Sequence, residues 1–302
     1  MALHRFTFRA MAAQNEVQLH ATDARHAAAA AWAAIDEVLR IERKYSRYRA
    51  DSVVSRINAA AGGAPVAIDA ETSALLDFAD ACWRESGGAF DATSGVLRRA
   101  WRFGEKRVPC AAEIEPLVAL IGWDRVERDG GLVRLPRAGM ELDFGGFGKE
   151  YAVDRAAALL RESGVESALV NLAGDLSVTG PPSDGSAWRI GIRHPRRDGH
   201  LAATLEVRSG AMATSGDYER YFEVDGVRYC HLLDPRSGRP VPGMRSVTVL
   251  AETCLVAGAA TTISLLRPER EGLKWLRALG APFLAVRSDG TLVDRTELLA
   301  RA

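Results

Sequence analysis

The segment CHLLDPRSGRPV, residues 230–241, places a titratable imidazole next to a tight turn. His231 comes three residues before Asp234, and the Asp-Pro-Arg-Ser-Gly run favours a turn. Pro235 fixes φ in that turn and Gly238 permits a positive φ. Binding and catalytic groups concentrate at such strand-to-turn junctions. A histidine there is either a hydrogen-bonded core residue or a general base whose pKa lies near working pH, and the residues alone leave both interpretations open.

Two glycine-rich loops are the other segments with the composition of a ligand site. In DFGGFGKE, residues 143–150, glycines separate a predicted strand from a predicted helix. Main-chain N–H groups can therefore approach an anion at the helix N-terminus, with Lys149 beside them. The spacing matches neither GxGxxG nor GxxxxGK[ST]. The second loop, SGGAFDAT at 86–93, has a structural alternative as a turn with an Asx motif at Asp91.

Composition narrows the class of protein. The 302 residues include 39 basic and 39 acidic side chains, a balance that does not favour nucleic acid or an anionic membrane as partner. No apolar run reaches the roughly 18 residues of a membrane span, and the N-terminus has no signal-peptide pattern. The four cysteines lack CxxC spacing, which fits reduced thiols without a zinc site. We expect a cytoplasmic protein, or a periplasmic one if a leader peptide has been removed.

The hydrophobic pattern predicts one large mixed α/β domain, or two interleaved ones. The order of elements is not a regular βαβ alternation, so a doubly wound sheet is not predicted. The expected helices cover 23–44, a short stretch capped by Asp51 or Ser52, 71–86, 111–121, the segment after the 143–150 turn up to Gly164, the second part of 245–266, and 269–278. The expected strands and hairpins cover 4–11, 15–21, a hairpin through 129–131, 140–144, 166–180, 187–193, 202–208, 219–230 and the first part of 245–266, with a turn at 215–217.

Six segments, taken together and in this order, resemble one family. They are YSRYRADSVVSRIN, SGGAFDAT, DFGGFGKEYAVDRA, LVNLAGDLSVTG, ATSGDYERYFEVDGVRYCHLLDPRSGRPV and AETCLVAGAATTIS. The set is similar to the FAD:protein FMN transferases, the ApbE-type flavin transferases. The resemblance covers about residues 5–295, and its most specific part is 213–241.

The resemblance implies an ApbE-like fold of two interleaved subdomains that form a single domain over residues 1–302, with FAD in the cleft between the halves. Family members split FAD with magnesium, attach FMN through a phosphoester to a Ser or Thr hydroxyl of a partner flavoprotein, and release AMP. Relatives can instead hydrolyse FAD to FMN and AMP. The alternatives are therefore an FAD pyrophosphatase and an FAD-binding paralogue without transferase activity.

The resemblance also assigns roles by position. His231 falls where the family has its proposed base for the incoming hydroxyl. The implied FAD-binding residues are Met11, Tyr48, Ala89, Phe90, Asp91, Gly145, Lys149, Tyr151 and Leu233. The implied magnesium ligands are the main-chain carbonyl of Gly148 and the side chain of Thr262.

The most serious departure from the family pattern lies at position 258; milder ones are AMAA at 10–13 and LAGD at 172–175. Gly258 stands where the family has an aspartate that binds magnesium, four residues before Thr262. Magnesium usually requires at least one carboxylate ligand. Glu150 or Glu252 could supply the missing oxygen, and we expect Gly258→Asp to raise the affinity for magnesium.

Overall fold

The computed structural model describes residues 1–293. The α-helices within this range are α1 (Ala24–Tyr45), α2 (Val53–Ala59), α3 (Ala70–Ser86), α4 (Ala111–Val118), α5 (Gly148–Glu162), α6 (Cys254–Leu265) and α7 (Glu269–Leu279). Short 3-10 helices lie at Ser94–Arg99, Phe103–Glu105 and Trp123–Arg125.

The strands are β1 (Ala2–Ala10), β2 (Ala13–Ala21), β3 (Val66–Ala67), β4 (Glu127–Asp129), β5 (Leu132–Arg134), β6 (Ala168–Leu172), β7 (Asp175–Val178), β8 (Trp188–Arg193), β9 (Leu201–Val207), β10 (Gly210–Gly216), β11 (Tyr221–Val224), β12 (Val227–Cys230), β13 (Leu233–Asp234), β14 (Arg239–Pro240), β15 (Ser246–Ala251), β16 (Phe283–Val286) and β17 (Leu292–Val293).

One antiparallel sheet organises the fold. Its strand order is β1-β2-β6-β7-β10-β15-β16-β17. Side chains that alternate along a strand fall into different cores: Val170 belongs to the main core, and its neighbour Leu169 to a second core with the β8–β9 hairpin. Helices α1, α5 and α6 pack against one another or against the sheet strands within the main core. The antiparallel sheet with segregated helices confirms the predicted mixed α/β class and the absence of a doubly wound sheet.

Local sequence signals explain most element boundaries. The Ser52 side chain accepts a hydrogen bond from the main-chain N–H of Ser55, 3.0 Å away, and so caps α2 as predicted. Asp225 and Gly226 both have positive φ, 51° and 74°, and turn the β11–β12 hairpin. Gly130 and Gly131 do the same between β4 and β5.

Two predictions of local structure were wrong. Residues 140–144 form no strand; instead the Asn58 side chain donates to the Leu142 carbonyl at 2.9 Å and accepts from its N–H at 2.7 Å. An amide side chain thereby replaces a strand partner. The expected turn at 215–217 begins too early, because Ser215 and Gly216 are the last residues of β10 in the centre of the sheet.

A third, smaller apolar cluster lies away from the sheet. It is built around Trp101, which is 1% exposed, and includes Leu97, Ile114 and Phe222. Of the helices within residues 1–293, none is long and apolar enough to cross a membrane. All four cysteines are free thiols, in agreement with the prediction.

Candidate active site

A cavity of about 840 Å³ lies where the start of α5, the end of β10, the segment 231–233 and the segment 94–104 meet. Small-molecule sites typically have volumes of about 300–1,000 Å³. The cavity wall brings together most of the residues singled out from the sequence: Tyr48, Ala89, Phe90, Asp91, Gly145, Lys149, His231, Leu233 and Thr262.

The glycine turn before α5 forms one side of this cavity. Phe147 occupies the N-cap position of α5 and provides no side-chain hydrogen bond, so the helix starts without a side-chain cap. Gly146 allows the Phe90 ring to come close, because a Cβ at this position would lie 3.1 Å from Phe90 Cζ. The partial positive charge of an uncapped helix N-terminus favours an anionic group.

Three titratable side chains, Lys149, Asp175 and Glu150, adjoin that helix start. Lys149 Nζ lies 2.6 Å from Oδ2 of Asp175, a buried residue at the start of β7. Burial acts to lower the pKa of Lys149, but the charges of Asp175 and Glu150 outweigh it and raise this pKa. Burial, together with the charge of Asp175, raises the pKa of Glu150 to about 8. Lys149 is therefore a permanent cation at the cavity wall, and its charge is shared with Asp175.

His231 lines the cavity from the segment between β12 and β13. Its main-chain N–H donates to the Arg220 carbonyl at 3.0 Å, which ties this segment to the preceding hairpin. Desolvation at the cavity wall lowers the pKa of the imidazole, and the charges of Arg220 and Lys149 lower it further. A hydrogen bond to the Arg220 main chain acts in the opposite direction but is weaker than the other effects together. The neutral ring, which can accept a proton, is therefore the favoured form at pH 7.

The turn that follows His231 is confirmed. Gly238 has a φ of 65°, and its N–H donates to the Asp234 carbonyl at 2.7 Å. Trp101 Nε1 donates to the Gly238 carbonyl at 2.7 Å. Through this bond the small apolar cluster holds the turn, and the paired strands β13 and β14 hold Leu233 at the cavity wall.

The second glycine-rich loop, residues 86–93, is both part of the cavity wall and a turn held by the Asp91 side chain. Its residues line the cavity, yet the Asp91 carboxylate serves the loop itself. Oδ1 accepts from the Thr93 N–H at 2.7 Å and from the Thr93 hydroxyl at 2.6 Å, while Oδ2 accepts from the Trp123 N–H at 3.1 Å. Burial raises the pKa of Asp91, and these hydrogen bonds act in the opposite direction. Asp91 therefore shapes the wall.

Three residues singled out from the sequence lie outside the cavity wall. Met11, with a φ of 52°, occupies the tip of the β1–β2 hairpin, where its N–H donates to Glu42 Oε1 at 2.7 Å. The Tyr151 hydroxyl donates to Glu71 Oε1 at 2.7 Å, because a position two residues after Lys149 faces another side of α5. Gly148 begins α5 and is half-buried.

Of the positions connected with magnesium in the sequence, some line the cavity and others are buried behind its wall. Thr262 lines the cavity, whereas Gly258, one helical turn earlier on α6, is buried. Glu150 also lines the cavity, and no hydrogen-bond partner of its buried Oε2 occurs among the described residues. Residues 1–293 contain no group of three or more His, Cys, Asp or Glu side chains that could hold a metal. An unpartnered carboxylate oxygen and a hydroxyl on one wall nevertheless fit the hard oxygen ligands that magnesium prefers.

The arginine-rich part of the cavity wall was not predicted. Arginines and aromatic residues from the segment RRAWRF and from two other segments line the wall: Arg47, Arg98, Arg99, Arg102, Arg220, Trp101 and Phe103. Arg98 and Arg99 both pair with Glu141, and Arg47 pairs with Asp143. The mixture of basic and aromatic residues in RRAWRF was the available signal, and it suits a ligand that carries both phosphate and an aromatic ring.

Several proteins are similar to this chain in sequence and in fold. Residues 11–284 match the model of the ApbE family. The FAD:protein FMN transferase of Treponema pallidum is 33% identical over 305 residues, 90% of this chain and 83% of the relative. That of Vibrio cholerae is 32% identical over 259 residues, 83% of this chain and 78% of the relative.

Solved structures agree with these sequence relatives. The crystal structure of the ApbE protein from Thermotoga maritima superimposes with a TM-score of 0.91 at 33% identity and covers 100% of both chains. The apo form of the Pseudomonas stutzeri flavinyl transferase ApbE gives a TM-score of 0.87 at 30% identity, over 99% of this chain and 97% of that one. From the family match, the relatives and the shared fold together, this chain belongs to the ApbE family.

Proposed function

We propose that this protein transfers FMN from FAD onto a Ser or Thr hydroxyl of a partner flavoprotein and releases AMP. The relatives that bear the name FAD:protein FMN transferase support this reaction over FAD hydrolysis or FAD binding alone. The observation that carries the proposal in this chain is that the His231 imidazole and the uncapped start of α5 share one cavity. A proton acceptor and a site for a phosphate group are thus close together.

The proposed reaction exchanges one P–O bond of FAD for another. The acceptor oxygen attacks the phosphorus on the riboflavin side of the FAD pyrophosphate, and His231 Nδ1 or Nε2 takes the hydroxyl proton. A P–O bond to FMN forms as the bridging P–O bond breaks, and AMP leaves with the bridging oxygen. A hydroxyl has too high a pKa to attack unaided, and a positioned base contributes roughly 10²–10⁴-fold. Such transfers depend mainly on positioning and on neutralised phosphate charge.

The other wall residues hold the substrate in this proposal. Tyr48 and Phe90 offer aromatic surface to FAD, Gly145 and Lys149 contact its phosphates, and Leu233 adds apolar contact. Ala89 lies in the same loop as Phe90, and Asp91 keeps that loop in shape through Thr93 and Trp123. Thr262 would contribute a hydroxyl to magnesium, which neutralises pyrophosphate charge when bound. A single domain over residues 1–302 and a cytoplasmic location stay predictions.

The test follows both products. The purified full chain is incubated with FAD, Mg²⁺ and peptides that carry Ser or Thr, and AMP and peptide mass are measured. We expect AMP together with a peptide heavier by an FMN phosphoester. AMP without an adduct would identify a pyrophosphatase, and intact bound FAD would identify a binding protein; either result contradicts the proposal. Peptides with Ser and Thr replaced by Ala are the matched control.

A further inference from the structure

Gly258 and Glu150 occupy one space between α6 and α5. A Cβ built on Gly258 would lie 2.5 Å from Glu150 Cγ and 2.9 Å from Glu150 Oε1. Any other residue at position 258 would therefore displace the Glu150 side chain. Glycine inside a helix costs about 1 kcal/mol relative to alanine. Since the neighbours Ala257 and Ala259 are both alanine, the glycine at 258 is explained by the room that Glu150 needs.

The Glu150 side chain is itself unusual. The residue is 7% exposed, and Oε2 is buried without a hydrogen-bond partner within residues 1–293. A buried polar atom without a partner carries an energetic cost that calls for an explanation. The adjacent cation, Lys149, is engaged with Asp175 at 2.6 Å, and Asp175 also accepts from the Thr214 N–H at 3.1 Å. Glu150 therefore offers an oxygen that no group of the described chain uses.

The Glu150 carboxyl and the Thr262 hydroxyl face the same cavity. Gly258 and Thr262 are four residues apart on α6 and share one helix face, about 6 Å apart along the axis. The Glu150 carboxyl lies against Gly258, and both Glu150 and Thr262 line the cavity. No hydrogen bond of the Thr262 hydroxyl is present in the described part of the chain either. A carboxylate and a hydroxyl, both unpartnered, thus border the same space.

We propose that Glu150 supplies the carboxylate ligand of a divalent cation that Thr262 also binds, and that Gly258 is the space that admits it. The carboxylate reaches the site from α5 instead of α6. Glu252, the other acidic candidate, is exposed and is not part of the cavity wall. The inference rests on the proposed function, since the pyrophosphate of FAD is what gives a cation at this wall its use.

The experiment measures cation binding without FAD or acceptor. Mn²⁺ is titrated into the full chain and followed by the electron paramagnetic resonance signal of the free ion, with Mg²⁺ as competitor. We expect Glu150→Gln, which keeps size and shape, to weaken Mn²⁺ binding at least tenfold. Glu252→Gln, the matched control in the exposed bend between β15 and α6, should bind as the unsubstituted protein does. Unchanged binding in Glu150→Gln, or no Mn²⁺ binding by the unsubstituted protein, overturns the inference.

A second variant covers the case in which Glu150→Gln does not fold, as judged by thermal melting. The exchange Glu150→Gly with Gly258→Asp moves the carboxylate from one helix to the other and keeps the packing volume similar. We expect it to bind Mn²⁺ within about threefold of the unsubstituted protein. If the folded exchange variant fails to bind Mn²⁺, the shared position is refuted. Mn²⁺ binding that depends on Glu150 in a protein that forms no adduct would refute the proposed function alone.

Discussion

Replacing His231 by alanine tests the proposed base directly. The main-chain N–H of residue 231 donates to the Arg220 carbonyl at 3.0 Å whatever the side chain, so the segment keeps its anchor in the variant. The groups at the start of α5 that we propose to bind phosphate are untouched. We therefore expect FAD affinity within about threefold of the unsubstituted protein and a loss of roughly 10²–10⁴-fold in transfer rate, the usual contribution of a general base.

The pH profile separates a base from a residue that only packs. The pKa of His231 is lowered from 6.5 by desolvation at the cavity wall and by the charges of Arg220 and Lys149. Protonation removes the base, so the transfer rate should fall on the acidic side, with the midpoint of that fall below pH 6.5. This acidic limb should vanish from the residual rate of His231→Ala. FAD affinity is measured by calorimetry and transfer by peptide mass.

His200→Ala is the matched control, because His200 is exposed in the loop between β8 and β9 and is absent from the cavity wall. It should transfer FMN at the unsubstituted rate. Equal rates in His231→Ala, or an acidic limb that persists in this variant, would refute the assignment of His231 as the base.

Two further substitutions test how the wall is shaped. Asp91→Ala leaves the buried N–H groups of Thr93 and Trp123 without their acceptor, so we expect the free energy of unfolding in urea to fall by about 2–4 kcal/mol. Gly146→Ala places a methyl group 3.1 Å from Phe90 Cζ. This overpacking should lower the free energy of unfolding by about 1–3 kcal/mol and weaken FAD binding in calorimetry.

Each of these predictions has a control within the chain. Asp91→Asn keeps one acceptor oxygen and should lose less stability than Asp91→Ala. Gly104→Ala adds the same methyl group where no atom lies within 4 Å, so its stability should be nearly unchanged. Equal losses in either pair would contradict the contacts invoked for Asp91 and Phe90.

Local signals predicted most of the fold, and long-range pairing decided the rest. The Asp225–Gly226 dipeptide carries its turn geometry in two residues, which is why the β11–β12 hairpin could be predicted. Strand β10, GAMATSG, has no apolar alternation of its own and forms because β7 and β15 pair with it on both sides. Residues 140–144 have the composition of a strand, but the Asn58 side chain takes both main-chain hydrogen bonds of Leu142, and the Asp143 N–H donates to the Ala92 carbonyl at 2.9 Å.

The site was predicted where chemistry resides in one short segment. The segment His231 to Gly238 contains both the ring and the turn that follows it; the turn is present as predicted, and the ring lies on the cavity wall. Contacts between distant segments were missed. The ion pair between Asp175 and Lys149 could not be predicted from the sequence, because the two residues meet only through the packing of α5 on β7. Tyr151 shares its motif with Lys149 but points from another face of the helix.

Gly258 shows why a motif position cannot be judged within its own segment. Judged from the sequence alone, Gly258 replaces the aspartate of the family pattern, and Gly258→Asp should raise the affinity for magnesium. In the structure, Glu150 fills the space that an aspartate would need, as the 2.5 Å approach to its Cγ shows. Gly258→Asp alone must therefore expel Glu150 and bring a further carboxyl group close to the Asp175–Lys149 pair. Cation binding is expected to survive Gly258→Asp only when Glu150 is removed in the same variant, because the space between α5 and α6 has room for one of the two carboxylates.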